Sequence, residues 1–492
     1  MTLAAALARV LVGLTGAVVA GWAVSRPVVS GGLTRREKFA WALASGLLLQ
    51  AAALLLLLAV GIHPSGAKLL LLEALAAGLS LLAYRPGRER APAAIATPRR
   101  GGPTWLSAGL LAVAAAAWLV FSLESLGDGM WATDFLAFWG YKGKIVYLTS
   151  EVPRRLFQDP ALYFAHREYP LLVPLSLASL AAFVGRWHDE ALALLYPACA
   201  LATLCALSGF LERRVSRLAG ASAAALAALC AFLYKAGNAG TAEIPFALSL
   251  VLAASAVLDW LARDEGEGDG RAVNGAQNES RAVNGAQNES RAVNGAQNQN
   301  RSAKADAWRL ALAALFCATL KQEGSLFVLL LAVVVWWRSR GTRDKRDPAA
   351  RRRGWLGATG LVALAAPAVA HWLLLFALRG NQTRRDFDFT LFEPARWREL
   401  PALFALVAGR FVRIGWTEAL IPIVAIVVFF LVTRRGVGEP LLPVFPAQIF
   451  FYAVAFTVSS FDPLYAIDGA FRRITMSLFP AFTLVLCSRE IR

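Results

Sequence analysis

Charge is scarce in this chain. Asp, Glu, Lys and Arg make up only 17% of its 492 residues, against about 25% in an ordinary soluble domain. Cysteine and histidine are scarcer still, at five and four. Cys199, Cys205, Cys230, Cys317 and Cys487 all lie inside apolar stretches, and no two form a CxxC pair. That pattern argues against a disulfide framework and against a zinc site. The histidines build no HExxH motif, and no GxGxxG nucleotide-binding loop is present.

Apolar residues are abundant instead, at 57%, with a mean hydropathy of +0.52. They come in long blocks. Residues 40–62 read AWALASGLLLQAAALLLLLAVGI, without a single charge. About 20 such residues span a bilayer core as a helix. The sequence therefore predicts an all-α, polytopic membrane protein with about 12–14 transmembrane helices, and it excludes a soluble enzyme. Segments are expected near 4–24, 40–62, 67–84, 105–123, 169–187, 190–211, 219–237, 244–262, 307–320, 322–337, 355–378, 419–433, 440–459 and 472–487. The first is read as a transmembrane helix rather than a cleaved signal, because only Arg9 precedes its apolar run and further helices follow directly.

The basic excess follows the same layout. Fifty Lys and Arg face 33 acids, for a net charge of +17. On a soluble domain this would suggest nucleic acid. Here the charge sits in short loops such as RSRGTRDKRDPAARRRG at 338–354, which is the positive-inside pattern. Loops 26–38, 85–104, 212–217, 338–354 and 434–438 are thus expected on the cytoplasmic side, and 63–66, 124–168, 238–243, 379–418 and 460–470 on the outer side. One count does not close. Two apolar segments, 169–187 and 190–211, separate an outer loop from an inner one, so one of them is expected to be short, re-entrant or interfacial.

Residues 271–300 hold three copies of a polar decamer, RAVNGAQNES, RAVNGAQNES and RAVNGAQNQN. Without aromatics it has no core to bury, so 263–306 is read as a disordered cytoplasmic linker. It divides N-terminal helices (1–104) and a core half (105–262) from a C-terminal half (307–492).

The outer loops carry the candidate chemistry. In loop 124–168, Phe135, Phe138, Trp139, Lys142 and Val146 follow helical spacing, which predicts an interfacial helix on the outer face. Asp134 opens it. Glu168 precedes Tyr169-Pro170, where the chain re-enters the membrane, and Glu243 opens the next inward helix. Taken singly, each acid suits a helix-dipole partner or a solvated flank; together they could converge on one water-filled pocket. Lys321 and Glu323 lie in a turn between two short apolar runs, and could simply pair with each other. Arg472 and Arg473 begin the last helix at its outer end, against the positive-inside trend. Headgroup snorkelling would explain them, and so would phosphate binding by a guanidinium fork.

This order of motifs (WATDF, a Trp–Lys segment, HREYP, AEIP, Lys-x-Glu-Gly, and an Arg seven residues before Pro480) resembles the bacterial C-type (GT-C) membrane glycosyltransferases. That group includes protein O-mannosyltransferases and the lipid A aminoarabinose transferase. The resemblance covers roughly 105–487 and leaves out three N-terminal helices. It implies a multi-helix inner-membrane enzyme of the bacterial cell, with an outward-facing site that takes a sugar from a polyprenyl-phosphate carrier and inverts the anomeric centre. It implies Asp134, Glu243 and Glu168 as the catalytic acids, and Lys321, Arg473 and Arg472 as the residues beside the donor phosphate. Glu243 stands where the family usually has Asp, and Tyr169 departs from the Lys-Pro-Pro of the aminoarabinose branch. No cofactor is assigned, and Asp134 and Glu243 could hold a divalent metal. Expected partners are the lipid-linked sugar, a glycan, lipid or protein acceptor, and the bilayer. Two alternatives stay open at this point: a transporter or lipid flippase, which should show repeated broken helices, and an O-antigen-type polymerase or ligase, which loop 379–418 would suit.

Overall fold

The computed structural model describes residues 1–29, 32–83, 104–127, 134–152, 159, 169–233, 240–278, 304–339, 348–379, 398, 401–410, 413, 441–457 and 463–488. Among them the chain is all-helical. In order the helices are α1 (Leu3–Val29), α2 (Arg35–Ala59), α3 (Gly66–Ala83), α4 (Thr104–Gly127), α5 (Gly140–Thr149), α6 (Leu172–Val184), α7 (Leu195–Arg214) and α8 (Arg217–Ala227). They continue with α9 (Glu243–Asn278), α10 (304–320), α11 (Gln322–Ser339), α12 (Pro348–Arg379), α13 (401–410), α14 (Val444–Thr457) and α15 (Pro463–Cys487).

By length and composition, seven described helical stretches are long and apolar enough to cross a membrane. They are Leu3–Val24, Arg35–Ala59, Gly66–Ala83, Thr104–Gly127, Asp189–Arg214, Glu243–Ala262 and Trp355–Leu374. The expectation of 12–14 is therefore met only in part. Several other segments, among them α6 and α14, are shorter apolar helices, and 419–433 lies outside the described residues.

The expected segment 169–187, one of the two behind the topological mismatch, forms a short helix. α6 has 13 residues, a rise of about 20 Å against a hydrocarbon core of about 30 Å. Every one of its residues is buried, so protein rather than lipid surrounds it. Gly185, at φ +82°, ends it in the left-handed conformation and donates to the Ala181 carbonyl. The Val184 carbonyl then accepts from Arg9 near the start of α1, and Arg186 donates to the Met1 carbonyl. α6 is thus enclosed by protein and too short to span the core as a straight helix, whereas Asp189–Arg214 is long and apolar enough to cross.

The N-terminal helices pack through small residues. A Cβ added at Gly46 would lie 1.9 Å from the Ala17 carbonyl oxygen, and one at Gly21 would lie 2.0 Å from that of Ala42. The α1 and α2 backbones touch at this crossing, a close approach that Gly permits. Gly46→Val should therefore separate the helices and lower the melting temperature of the detergent-solubilised protein, at a cost of about 1–3 kcal/mol or more. Gly78→Ala, with nothing within 4 Å of the new atom, should not. Equal melting temperatures for both would contradict the packing.

α2 starts at Thr34, whose hydroxyl accepts from the Glu37 amide while Glu37 accepts from the Thr34 amide, a capping box. Glu37 also receives Arg213 from the end of α7 at 2.7 Å. Arg213 and Arg214 converge in turn on Asp259 of α9, and Arg309 of α10 approaches the same carboxylate at 3.8 Å. Glu37, Arg213 and Arg214, which lie in expected loops, thus join Asp259 and Arg309 in a buried ionic knot between α2, α7, α9 and α10. It lies at the end of the bundle that carries the described basic turns, 35–38 and 212–217.

Two expectations change. The face of Phe135, Trp139, Lys142 and Val146, expected to lie in the lipid interface, is buried, and α5 packs on α6; the apolar surface of α6 supplies the cover that lipid would have given. The 263–306 segment was expected to lack regular structure, yet α9 continues to Asn278. A helix nucleated in the apolar block extends without a second nucleation cost. Residues 279–303 lie outside the described residues.

Candidate functional site

Glu243 is the first residue of α9 and Asp259 lies in the ionic knot, so the two are sixteen residues apart, about 24 Å along a helix. The candidate residues gather at the Glu243 end, opposite the basic loops.

Asp134 stands just before Phe135–Trp139, a five-residue π-helix closed by the Gly140 amide donating to the Phe135 carbonyl. Such bulges are frequent at functional sites. This one buries Phe135 and Trp139 and lays the Trp139 ring flat on Tyr169, with centroids 5.2 Å apart and planes 6° from parallel. Phe138 meets Tyr169 edge-on at 6.4 Å. Tyr169 of the HREYP motif is thereby fixed against the π-helix that follows Asp134, although sequence spacing gave no hint of the stack.

Arg473, on α15, bonds Asp134 through Nη1. Its Nε lies 4.0 Å from Glu243 Oε1. That oxygen accepts a hydrogen bond from Lys321 Nζ at 3.1 Å, and the same ammonium lies 3.4 Å from Glu323 Oε1. Lys321 occupies the one non-helical position between α10 and α11, and its ammonium sits 5.7 Å over the Phe246 ring, a cation–π distance. The result is an alternating chain of charges: Asp134, Arg473, Glu243, Lys321, Glu323. Glu243 and Lys321 are buried, whereas the Asp134 and Arg473 side chains keep 19% and 26% of their surface exposed.

Four of the six expected residues come together here. Glu168 and the side chain of Arg472 lie outside the described residues. The simple pairing of Lys321 with Glu323 exists, but Glu243 is the nearer partner. Arg473 and Asp134, read separately as a phosphate ligand and a base, are bonded to each other. Tyr452 and Gln448 on α14 were missed. The Gln448 amide donates to the Glu323 carbonyl, and both residues are buried polar groups in an apolar run, which is the signal that could have found them.

Buried polar atoms are nearly always hydrogen-bonded. Among the described residues, Glu243 Oε2, Glu323 Oε2 and Arg473 Nε have no such partner, so the site has capacity left for solvent or ligand. A divalent metal between Asp134 and Glu243 does not fit, because the Arg473 guanidinium already bridges that pair. No group of three His, Cys, Asp or Glu suited to a metal forms among the described residues.

A scan against protein-family models gave no match to this chain, and searches of curated proteins and of solved structures gave none either.

Proposed function

We propose that the chain is an integral-membrane glycosyltransferase that moves a sugar, with inversion, from a polyprenyl-phosphate carrier to a hydroxyl acceptor on a glycan, lipid or protein. The observation that carries the reading is the convergence of Asp134, Glu243, Lys321 and Arg473 at the end of the bundle opposite the basic loops. By the positive-inside trend, that end faces outward from a bacterial plasma membrane.

In this reading the acceptor oxygen attacks the sugar C1 and its proton passes to Asp134. The bond from C1 to the phosphate oxygen breaks through an oxocarbenium-like state, and the phosphate leaves with the electron pair. Arg473 and Lys321 stabilise that developing charge. Since Arg473 holds Asp134 in the unliganded site, a donor phosphate that takes the guanidinium also frees the base. The reaction is thereby ordered, with the donor first.

The test is release of polyprenyl phosphate by the purified protein in proteoliposomes, supplied with lipid-phosphate sugars and candidate acceptors. Release that depends on acceptor supports the reading. Passage of the intact lipid between leaflets, without release, would make the protein a flippase and overturn it.

A further inference from the structure

Glu73 lies within α3, one of the seven apolar spans, about 10 Å along the helix from its first residue. It is 2% exposed. One carboxyl oxygen, Oε1, accepts from Gln50 Nε2 of α2 at 3.0 Å, and the same amide nitrogen donates to the Gly13 carbonyl of α1 at 3.2 Å. The other, Oε2, has no hydrogen-bond partner among the described residues, and neither has Gln50 Oε1. Glu73 Oε2 fits over Gly16, where a Cβ would come within 3.0 Å of it. A small residue on α1 thus leaves the room that this oxygen occupies.

Among the described residues, no cation pairs with the group. α3 packs on α1, α2 and α6. On α1, Arg9 bonds the Val184 carbonyl and Arg26 lies over Trp22. On α2, Glu37 is taken by Arg213, Arg36 pairs with Glu212, and Arg35 and Lys38 share that first turn, about 18 Å or more from Gln50 along the helix. On α3, Lys68 bonds the His63 carbonyl. α6 has no charged residue. A carboxylate at membrane depth without a counter-charge is costly, and such groups neutralise by taking a proton.

We propose that Glu73 is a proton-binding site inside the membrane, with Oε2 as the atom that gains and loses the proton and Gln50 as the residue that positions the carboxyl. The site is independent of the glycosyltransferase reading. It lies in the three N-terminal helices, away from the charges around Glu243. Its ligand is a proton.

A hydrophobic carbodiimide tests this directly. In an apolar phase, a protonated carboxyl adds across the reagent's C=N bond. The acid O–H proton moves to nitrogen, the carboxyl oxygen bonds the central carbon, and an O-to-N acyl shift locks the whole reagent on as an N-acylurea, with nothing expelled. The full-length protein in proteoliposomes should gain one reagent mass on the Glu73 peptide at acidic pH and progressively less as the pH rises. Glu73→Gln should lose the adduct. Gln50→Leu removes a donor that favours the ionised form, so labelling should persist to higher pH. A clamp that merely joins the helices would not produce that shift. No adduct at Glu73 at any pH, or labelling that ignores pH, would overturn the proposal.

Discussion

Asp134→Asn is expected to lower sugar transfer by about 10²–10⁴-fold, the usual contribution of a positioned general base. The change preserves the size and shape of the side chain and removes its capacity to take a proton. It also removes the charge opposite Arg473, a pair whose side chains are 19% and 26% exposed, but the Asn side-chain oxygen can still accept the guanidinium's hydrogen bond. The melting temperature should therefore stay close to that of the parent while polyprenyl-phosphate release collapses. Turnover near the parent level in a folded Asp134→Asn protein would remove Asp134 from the base role.

The second large effect concerns stability as well as turnover. Lys321 and Glu243 are a buried pair, their side chains 9% and 4% exposed. Removing one partner of such a pair strands the other and typically costs about 3–5 kcal/mol. Lys321→Met leaves Glu243 with the Arg473 contact at 4.0 Å, and Glu243→Gln leaves Lys321 with Glu323 at 3.4 Å. Those residual partners place the single losses toward the lower end, about 3 kcal/mol. The double variant has no stranded charge in the pair and should regain most of the stability, because exchange of both members is often close to neutral. It should not regain activity. Thermal unfolding in detergent measured beside phosphate release separates the two roles. A double variant as unstable as the sum of the singles would show that the two residues do not act as a pair.

Much of the fold was legible because apolar runs report their own length. The block expected at 40–62 is α2, Arg35–Ala59, and that at 67–84 is α3, Gly66–Ala83. The imbalance between 169–187 and 190–211 pointed to a short segment, and α6 has only 13 residues, since charge sidedness constrains the number of crossings even where hydropathy does not. The site was legible only as separate residues. Asp134 and Arg473 lie 339 positions apart, and no local pattern reports that their helices converge. Arg213 and Arg214 read as loop charges because their partners, Glu37 and Asp259, lie 176 and about 45 positions away along the chain. Glu73 passed unnoticed inside LLLLEALAAG, although a single acid in so apolar a run is itself a signal.

The ionic knot has a mechanical consequence. Asp259 receives four hydrogen bonds from Arg213 and Arg214, and Arg213 ties the same knot to Glu37 on α2. α9 is therefore a lever with its fulcrum at Asp259 and its working tip at Glu243. A stiff rod pivoting about a fixed point multiplies small rotations, so a tilt of about 5° at Asp259 would sweep the Glu243 tip by roughly 2 Å over the 24 Å between them. That is enough to open or close a hydrogen bond to Lys321 without sliding the helix along its axis.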